Sequence, residues 1–242
     1  MEIFSLIWQQ YLYLPLFNFL VLLYLNYSLF NLGVAVIILT VLLRLVLLPF
    51  TILTERGKII GLRIRNNLEE IRRDYLNDPV KQKVVIRQFL KKKKIRPWAK
   101  AVVLGIQGLV LVLLYQVFIG GINTQEKLHL LYQGIARPDF INTKFLWFDI
   151  AERDFVMAGI VAGYLFAQIL INFWERRHAL TKKEQIYSLL LPAIVFLILT
   201  ILPSVKSIFV LTSLIISSII SMFTLIIKIA IKRAKQQAKE AT

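Results

Sequence analysis

The fold of this chain is decided by residues 32–53, which have the sequence LGVAVIILTVLLRLVLLPFTIL. A helix of this length and apolarity can cross a hydrocarbon core of about 30 Å, yet it carries Arg44. A guanidinium keeps its proton, and a charge near mid-bilayer costs at least about 2.5–3.5 kcal/mol. No Asp or Glu lies between Glu2 and Glu55, so the helix itself supplies no counter-charge. The stretch therefore predicts a membrane helix whose Arg44 faces water or a polar cavity.

The composition of the whole chain is that of a polytopic helical membrane protein. Its 242 residues are 57% hydrophobic and 18% charged, which is too apolar for a water-soluble domain around one core. Cysteine is absent and only two histidines are present, which argues against disulfides, thiolate chemistry and a metal site. We predict an all-α fold with five transmembrane helices. They lie at about 32–53, 99–119, 155–174, 186–202 and 208–227.

Basic residues collect in alternate connecting segments. Segment 55–100 has 15 Lys/Arg against 5 Asp/Glu, whereas segment 121–155 has 4 against 5. Because cytoplasmic loops carry the excess of Lys and Arg, segment 55–100, the turn at 175–185 and the C-terminus are predicted to be cytoplasmic. The N-terminus and segment 121–155 are then outside, at the cell membrane. The net charge of +16 thus indicates topology, and nucleic-acid binding is not the main role.

The segments outside the spans have patterns of their own. Residues 55–98 show apolar residues at helical spacing around Asn77-Asp78-Pro79, which predicts a basic cytoplasmic helical hairpin. The N-terminal residues are aromatic and lack a signal-peptide cleavage pattern, so we interpret them as an interfacial amphipathic helix at the outer surface. An additional spanning helix is the alternative. The predicted domains are the interfacial helix at 1–30, a first transmembrane helix at 31–54, the hairpin at 55–98, four transmembrane helices in 99–227 with an outer loop at 121–155, and a basic cytoplasmic tail at 228–242.

Polar side chains within the predicted spans form the candidate functional site. Thr40 lies four residues before Arg44, so the two share a helix face. Intramembrane polar groups turn away from lipid, towards a bundle interior or a water-filled cavity. Because 24 of the 30 basic residues lie in the predicted cytoplasmic segments, we expect this pocket to open to the cytoplasm. The alternative for the uncharged groups is a structural role between helices. The candidates are Arg44, Thr40, Gln107, Gln168, Asn172, Ser213 and Ser217.

Catalytic chemistry is not indicated by the sequence. It contains no Gly-rich phosphate-binding loop and no carboxylate pair within the predicted spans. Neither His129 nor His178 lies mid-membrane, where it could serve a serine nucleophile. We therefore predict no catalytic residue, no cofactor and no enzyme activity.

The first span and its surroundings resemble the YidC/Oxa family of membrane-protein insertases. The family pattern has an Asn and a Gly at the start of this helix, matched by Asn31 and Gly33, and a Thr four residues before an Arg. It also has a Pro five residues after the Arg, matched here by Pro49. The resemblance covers about residues 12–230. Further similar positions are Pro15 to Asn18, Arg96-Pro97, Gln107, Tyr115, Phe145 to Ile150, Asp154, Pro192 and Pro203.

The resemblance implies a short-form insertase, without the large outer domain that some members carry. Its hydrophilic groove would be open to the cytoplasm and to lipid, and it would work without nucleotide hydrolysis. Arg44 would attract acidic residues of the polar segment being moved. The implied partners are nascent membrane proteins, the ribosome through the basic tail and hairpin, anionic lipids and, if the protein does not act alone, the general secretion channel.

Two further hypotheses stay open. A small anion or solute transporter would use Arg44 as its ligand site, although transporters more often show inverted repeats and helices broken near mid-membrane. A structural membrane anchor for ribosomes would use the basic segments. The anchor hypothesis leaves Arg44 without an explanation.

Overall fold

The computed structural model describes residues 2–54, 67–68, 71, 73–75, 78–92, 98–119, 122, 125–174 and 182–240. These residues are helical apart from connecting turns and one two-stranded hairpin. The elements are α1 Glu2–Ile7, a π-helical turn Trp8–Tyr13, α2 Leu14–Asn26, α3 Leu32–Val46, α4 Leu48–Thr54, α5 Pro79–Lys92, α6 Trp98–Phe118, α7 Gln125–Leu128, β1 Lys144–Phe145, β2 Phe148–Asp149, α8 Phe155–Trp174, α9 Lys182–Ile201 and α10 Val205–Glu240.

Several of these helices are long and apolar enough to cross a membrane. Three qualify singly, namely Ser5–Asn26, Ala101–Phe118 and Val205–Thr224. The pair α3 and α4 makes a fourth if it is counted as one span, although it bends by 62°. The apolar parts of α8 and α9 are shorter. The helical membrane fold is confirmed. Length and composition support three or four spans among the described residues, and the count of five stays a prediction.

The bend between α3 and α4 follows from Pro49. Proline lacks the N–H that would bond to the carbonyl four residues earlier, and its ring crowds that carbonyl. Leu47 leaves the helical conformation, and Pro49 becomes the second residue of α4, where a missing N–H is tolerated. The sequence predicted that the first span would end near this proline. The structure instead contains a sharp bend followed by one further short helix.

The chain divides into two compact units. The first comprises residues 1–45 and 108–216, and the second comprises 46–107 and 217–242. In the second unit, Asp78 caps α5 by accepting the N–H of Lys81 at 3.0 Å, which places the start of this helix at the predicted turn. The first helix of the predicted hairpin lies largely outside the described residues.

One end of the first unit is closed by a network around the start of α3. Asn31 caps this helix, because its Oδ1 accepts the N–H groups of Gly33 and Val34. Its Nδ2 donates to the carbonyl of Lys144 on β1 at 3.2 Å. The ring of Phe145 lies so close to Gly33 that a Cβ at this position would overlap it. The start of α3 is thereby fixed to the hairpin of β1 and β2.

The N-terminal helix is attached to the same end of the unit along much of its length. Trp8 Nε1 donates to Gln116 Oε1 at 2.7 Å, two residues before α6 ends. Tyr24 accepts the N–H of Asn142 at 3.0 Å. Trp8 and Tyr24 are about 24 Å apart along a helix, yet both contact the end of α6 or the segment that follows it. These contacts attach the N-terminal helix to this end of the first unit. Its interfacial placement stays a prediction, and its length suits the alternative of an additional span.

Asn18 fixes the middle of the same helix. It is buried, and its Nδ2 donates to the carbonyls of Leu14 and Leu130 at 2.8 and 3.2 Å. Its Oδ1 accepts the N–H of Tyr132 at 2.7 Å. One amide side chain therefore satisfies three backbone groups, two of them in the segment between α7 and β1.

Candidate functional site

Helix α3 has one face inside the protein and one face outside it. The buried face carries residues spaced by four, and Arg44 is the last of them, with an exposed fraction of 6%. The opposite face is apolar and exposed, as expected of a surface that contacts lipid. The buried set is Leu32, Val36, Thr40 and Arg44. The exposed set is Val41, Leu42, Leu45 and Val46.

Arg44 is enclosed by protein. The four-residue spacing placed it on one face with Thr40, and the helix has that register. Because only 6% of the side chain is exposed, its surroundings are protein groups and not an open aqueous surface. Of the two settings that the sequence predicted for Arg44, water or a polar cavity, the low exposure argues against an open aqueous surface.

The hydroxyl groups of the candidate site differ in what they bind. Thr40 Oγ1 donates to the carbonyl of Val36 at 2.6 Å, within its own helix, as a structural threonine does. Ser213 is also buried, but its Oγ has no hydrogen-bond partner among the described residues. An unpaired buried hydroxyl is costly unless something else binds it. Of the two, Ser213 has the greater capacity for a further polar contact.

The remaining candidates are less enclosed. Gln107, Gln168 and Ser217 are half-buried. Asn172 lies on α8, but its side chain is outside the described residues. Gln107 and Ser217 belong to the second unit, whereas the other candidates belong to the first.

Lys206 is a polar residue of the spans that sequence reasoning missed. The sequence placed it in a four-residue outer turn after Pro203 and began the fifth span at about residue 208. In the structure α10 begins at Val205, and Lys206 is only 2% exposed. Its Nζ lies 3.8 Å from the centroid of the Tyr115 ring on α6. The available signal was helical spacing, because Lys206 precedes Ser213 by seven residues.

Backbone bonds explain why α10 begins early. Ser204 donates both its N–H and its hydroxyl to the carbonyl of Glu152, at 2.7 and 2.8 Å. The N–H of Val205 donates to the carbonyl of Ile150 at 2.9 Å. These bonds satisfy donors that a helix start leaves without partners. They bring Lys206 into the protein as part of the first helical turn.

Comparison with known proteins gives a consistent result. The family model for the 60Kd inner membrane protein matches residues 23–235. The chain is 31% identical over 149 residues to the membrane protein insertase YidC of Clostridium tetani, which covers 61% of this chain and 59% of that protein. It is 26% identical over 109 residues to the membrane protein insertase YidC of Fusobacterium nucleatum, covering 45% and 53%.

The extent of these matches decides what they establish. The aligned part of the chain spans less than two thirds of the length of either curated relative. The family model, in contrast, takes in most of the chain, including α3 and the described part of α10 as far as residue 235. The sequence resemblance is thereby confirmed, and this chain belongs to the 60Kd inner membrane protein family, that is, the YidC/Oxa family.

Proposed function

We propose that this protein is a membrane-protein insertase. It moves short polar segments of nascent membrane proteins across the cell membrane and releases their apolar helices into lipid. Both curated relatives bear the name of membrane protein insertase. In this chain, the observation that carries the proposal is Arg44, a permanent cation on the protein-facing side of an apolar helix. A charge kept at such a cost is expected to have a function.

The physical basis of the activity is a polar route with an apolar exit. A polar segment loses hydration when it enters lipid, and a polar groove shortens the low-dielectric path. Arg44 attracts the acidic residues of that segment. The apolar helix that follows then moves sideways into lipid, and its burial makes the step downhill without nucleotide hydrolysis.

The groove in this proposal is open to the cytoplasm and to lipid. Its lining in the first unit consists of Arg44, Thr40, Gln168, Asn172 and Ser213, with Ser213 as the hydroxyl most able to bind a substrate group. Since Arg44 is largely enclosed, we infer that the groove opens when a substrate arrives. The apolar outer face of α3, at Val41 and Leu45, is the surface past which the substrate helix enters lipid.

The proposed topology follows the charge distribution. The N-terminus lies outside, and the basic segment 55–98 and the C-terminus lie in the cytoplasm. Helix α10 continues without interruption to Glu240, so the basic tail at 228–242 is mostly an extension of this helix. The extension and the hairpin are proposed to bind the ribosome and anionic lipid. Cooperation with the general secretion channel is the alternative to autonomous action.

Reconstitution tests the proposal directly. Purified protein in liposomes, without nucleotide, is offered a single-spanning substrate whose translocated tail carries acidic residues. Protease protection of the tail measures insertion. We expect Arg44→Ala to lower insertion by about tenfold or more, and Arg44→Lys to retain part of it, because a charge-assisted bond is lost or weakened. Equal insertion by the wild type and Arg44→Ala would contradict the role given to Arg44.

A transporter is the second candidate, and the bend between α3 and α4 is the observation that favours it. The helix breaks three residues after Arg44, and broken helices often form the ligand sites of transporters. The same liposomes distinguish the two functions. Flux of a small anion without insertion of the substrate protein would replace the insertase proposal with the transporter.

A further inference from the structure

The start of α10 contains a second enclosed cation. Lys206 is the second residue of this helix, and its neighbours Val205 and Ser207 are fully buried. A lysine near the end of a membrane helix ordinarily extends its ammonium to the aqueous interface. Lys206 instead directs its Nζ over the ring of Tyr115. The position of this charge is therefore set by the protein and not by water.

The charge of Lys206 is only partly compensated. Among the residues that the structure describes, the Tyr115 ring is the partner of the ammonium, and no ion pair joins it to a carboxylate. A contact between a cation and a ring is weaker than a charge-assisted hydrogen bond to a carboxylate. An ammonium has three donors, so Lys206 can still bind an anionic group.

Lys206 stands on the polar face of α10. With 3.6 residues per turn, Lys206, Ser213 and Ser217 lie within about 20° of one line along the helix. Ser213 belongs to the proposed groove, and its hydroxyl is buried without a partner among the described residues. The polar face of the groove therefore extends to Lys206.

The positions at which α3 and α10 begin place Lys206 nearer than Arg44 to one end of the first unit. The first N–H groups of α3 and α10, at Leu32 and Val205, donate to a single connecting segment, residues 142–150, so both helices begin at the same end of the first unit. At about 1.5 Å per residue, Arg44 lies about 18 Å from the start of α3, whereas Lys206 is in the first turn of α10. A carboxylate that moves from Arg44 towards this end reaches the level of Lys206 after roughly five residues of extended chain.

We propose that Lys206 is a specificity-determining residue that binds a carboxylate of the translocated segment at the far end of the groove, after Arg44. The ammonium leaves the Tyr115 ring for the carboxylate and returns to the ring when the segment departs. This inference rests on the proposed insertase function. It adds a second charge that favours acidic translocated segments over neutral ones.

The test compares two substrates in the reconstituted system. They differ only in the translocated tail, which carries two Glu residues in one and two Gln residues in the other. The variants are Lys206→Met, which removes the charge and keeps most of the side-chain length, and Lys206→Arg, which keeps the charge. The matched control is Lys144→Gln, because the Lys144 side chain is exposed at the same end of the unit.

We expect Lys206→Met to lower insertion of the acidic tail by about tenfold and to leave the neutral tail within about twofold of the wild type. Lys206→Arg and Lys144→Gln should insert both tails almost as the wild type does. An equal loss for both tails would overturn the proposal, because it would make Lys206 a structural clamp between α6 and α10. If the wild type inserts neither tail, the proposed insertase function itself is contradicted. This outcome differs from an equal loss of both tails in Lys206→Met, which contradicts only the role of Lys206.

A chemical variant keeps the proposal testable if Lys206→Met does not fold. The chain has no cysteine, so the variant Lys206→Cys contains a single thiol. Modification with an aminoethyl thiosulfonate restores a cation, and a methyl thiosulfonate gives a neutral control. We expect the cationic reagent alone to restore insertion of the acidic tail. Equal restoration by both reagents, or by neither, would contradict the role of the charge.

Discussion

Helix α3 is held differently at its start and in its interior. At the start, the polar groups of Asn31 bond to its own helix and to the β-hairpin, and Gly33 admits the ring of Phe145. In the interior, Thr40 donates to a carbonyl of its own helix, and Ser213 on α10 has a hydroxyl without a partner among the described residues. The start is therefore a fixed closure, while the interior retains polar capacity.

Among substitutions that test the difference between the start and the interior of α3, we expect Gly33→Val to have the largest effect on stability. The added side chain would overlap the Phe145 ring, so we expect a loss of stability of about 3 kcal/mol. Reversible unfolding in detergent, followed by circular dichroism, measures the change. The matched control is Gly163→Ala on α8, where a Cβ meets open space and alanine favours the helix. Similar stability changes for the two variants would show that the Phe145 contact does not fix the start of α3.

The next effect is expected from Asn18→Leu. It removes three hydrogen bonds and leaves the Tyr132 N–H and the Leu130 carbonyl without partners, which should cost about 2 kcal/mol. Thermal unfolding measures the loss. Asn26→Leu, an exposed residue at the end of the same helix, serves as the control. If both variants unfold at the same temperature, Asn18 does not attach the N-terminal helix to the following segment.

A smaller effect is expected from Asn31→Ala. It removes the cap of α3 and the bond to Lys144, and helix caps contribute about 1 kcal/mol. Asn31→Asp keeps the capping oxygen and loses only the Nδ2 donor, so it should restore most of the stability. Unfolding curves of the three proteins, measured under one condition, compare these contributions. An Asp variant as unstable as the Ala variant would assign the effect to the Lys144 contact.

The smallest effect is expected from Thr40→Val. The hydroxyl bonds a carbonyl that its own helix already provides with a partner, so we expect a stability change within about 0.5 kcal/mol. Insertion of an acidic-tail substrate should stay within about twofold of the wild type. A tenfold loss of insertion would instead place the Thr40 hydroxyl in direct contact with the substrate. Such a result would show that the interior of α3 binds substrate through a hydroxyl that also bonds its own helix.

The sequence predicts local features of this fold better than long-range ones. The spacing of Thr40 and Arg44 gave the correct face of α3, because helical periodicity is local. Lys206 was assigned to a turn, since the bonds that begin α10 at Val205 come from Glu152 and Ile150, about fifty residues away. No pattern near Pro203 reveals these partners.

The aromatic residues of the outer segment give a second example. Aromatic residues next to membrane spans are often found at the headgroup layer, and Phe140 and Trp147 are exposed. Phe148 is buried, however, and Phe145 covers Gly33. The register of the short hairpin decides which rings turn inward, because successive strand residues point to opposite faces. Composition alone does not determine this register.

The length of α10 constrains how this helix can lie in a bilayer. Its 36 residues form a rod of about 54 Å, whereas a bilayer core is about 30 Å thick. The helix is therefore roughly 24 Å longer than the hydrocarbon core is thick, so only part of its length can lie in lipid unless it is strongly tilted.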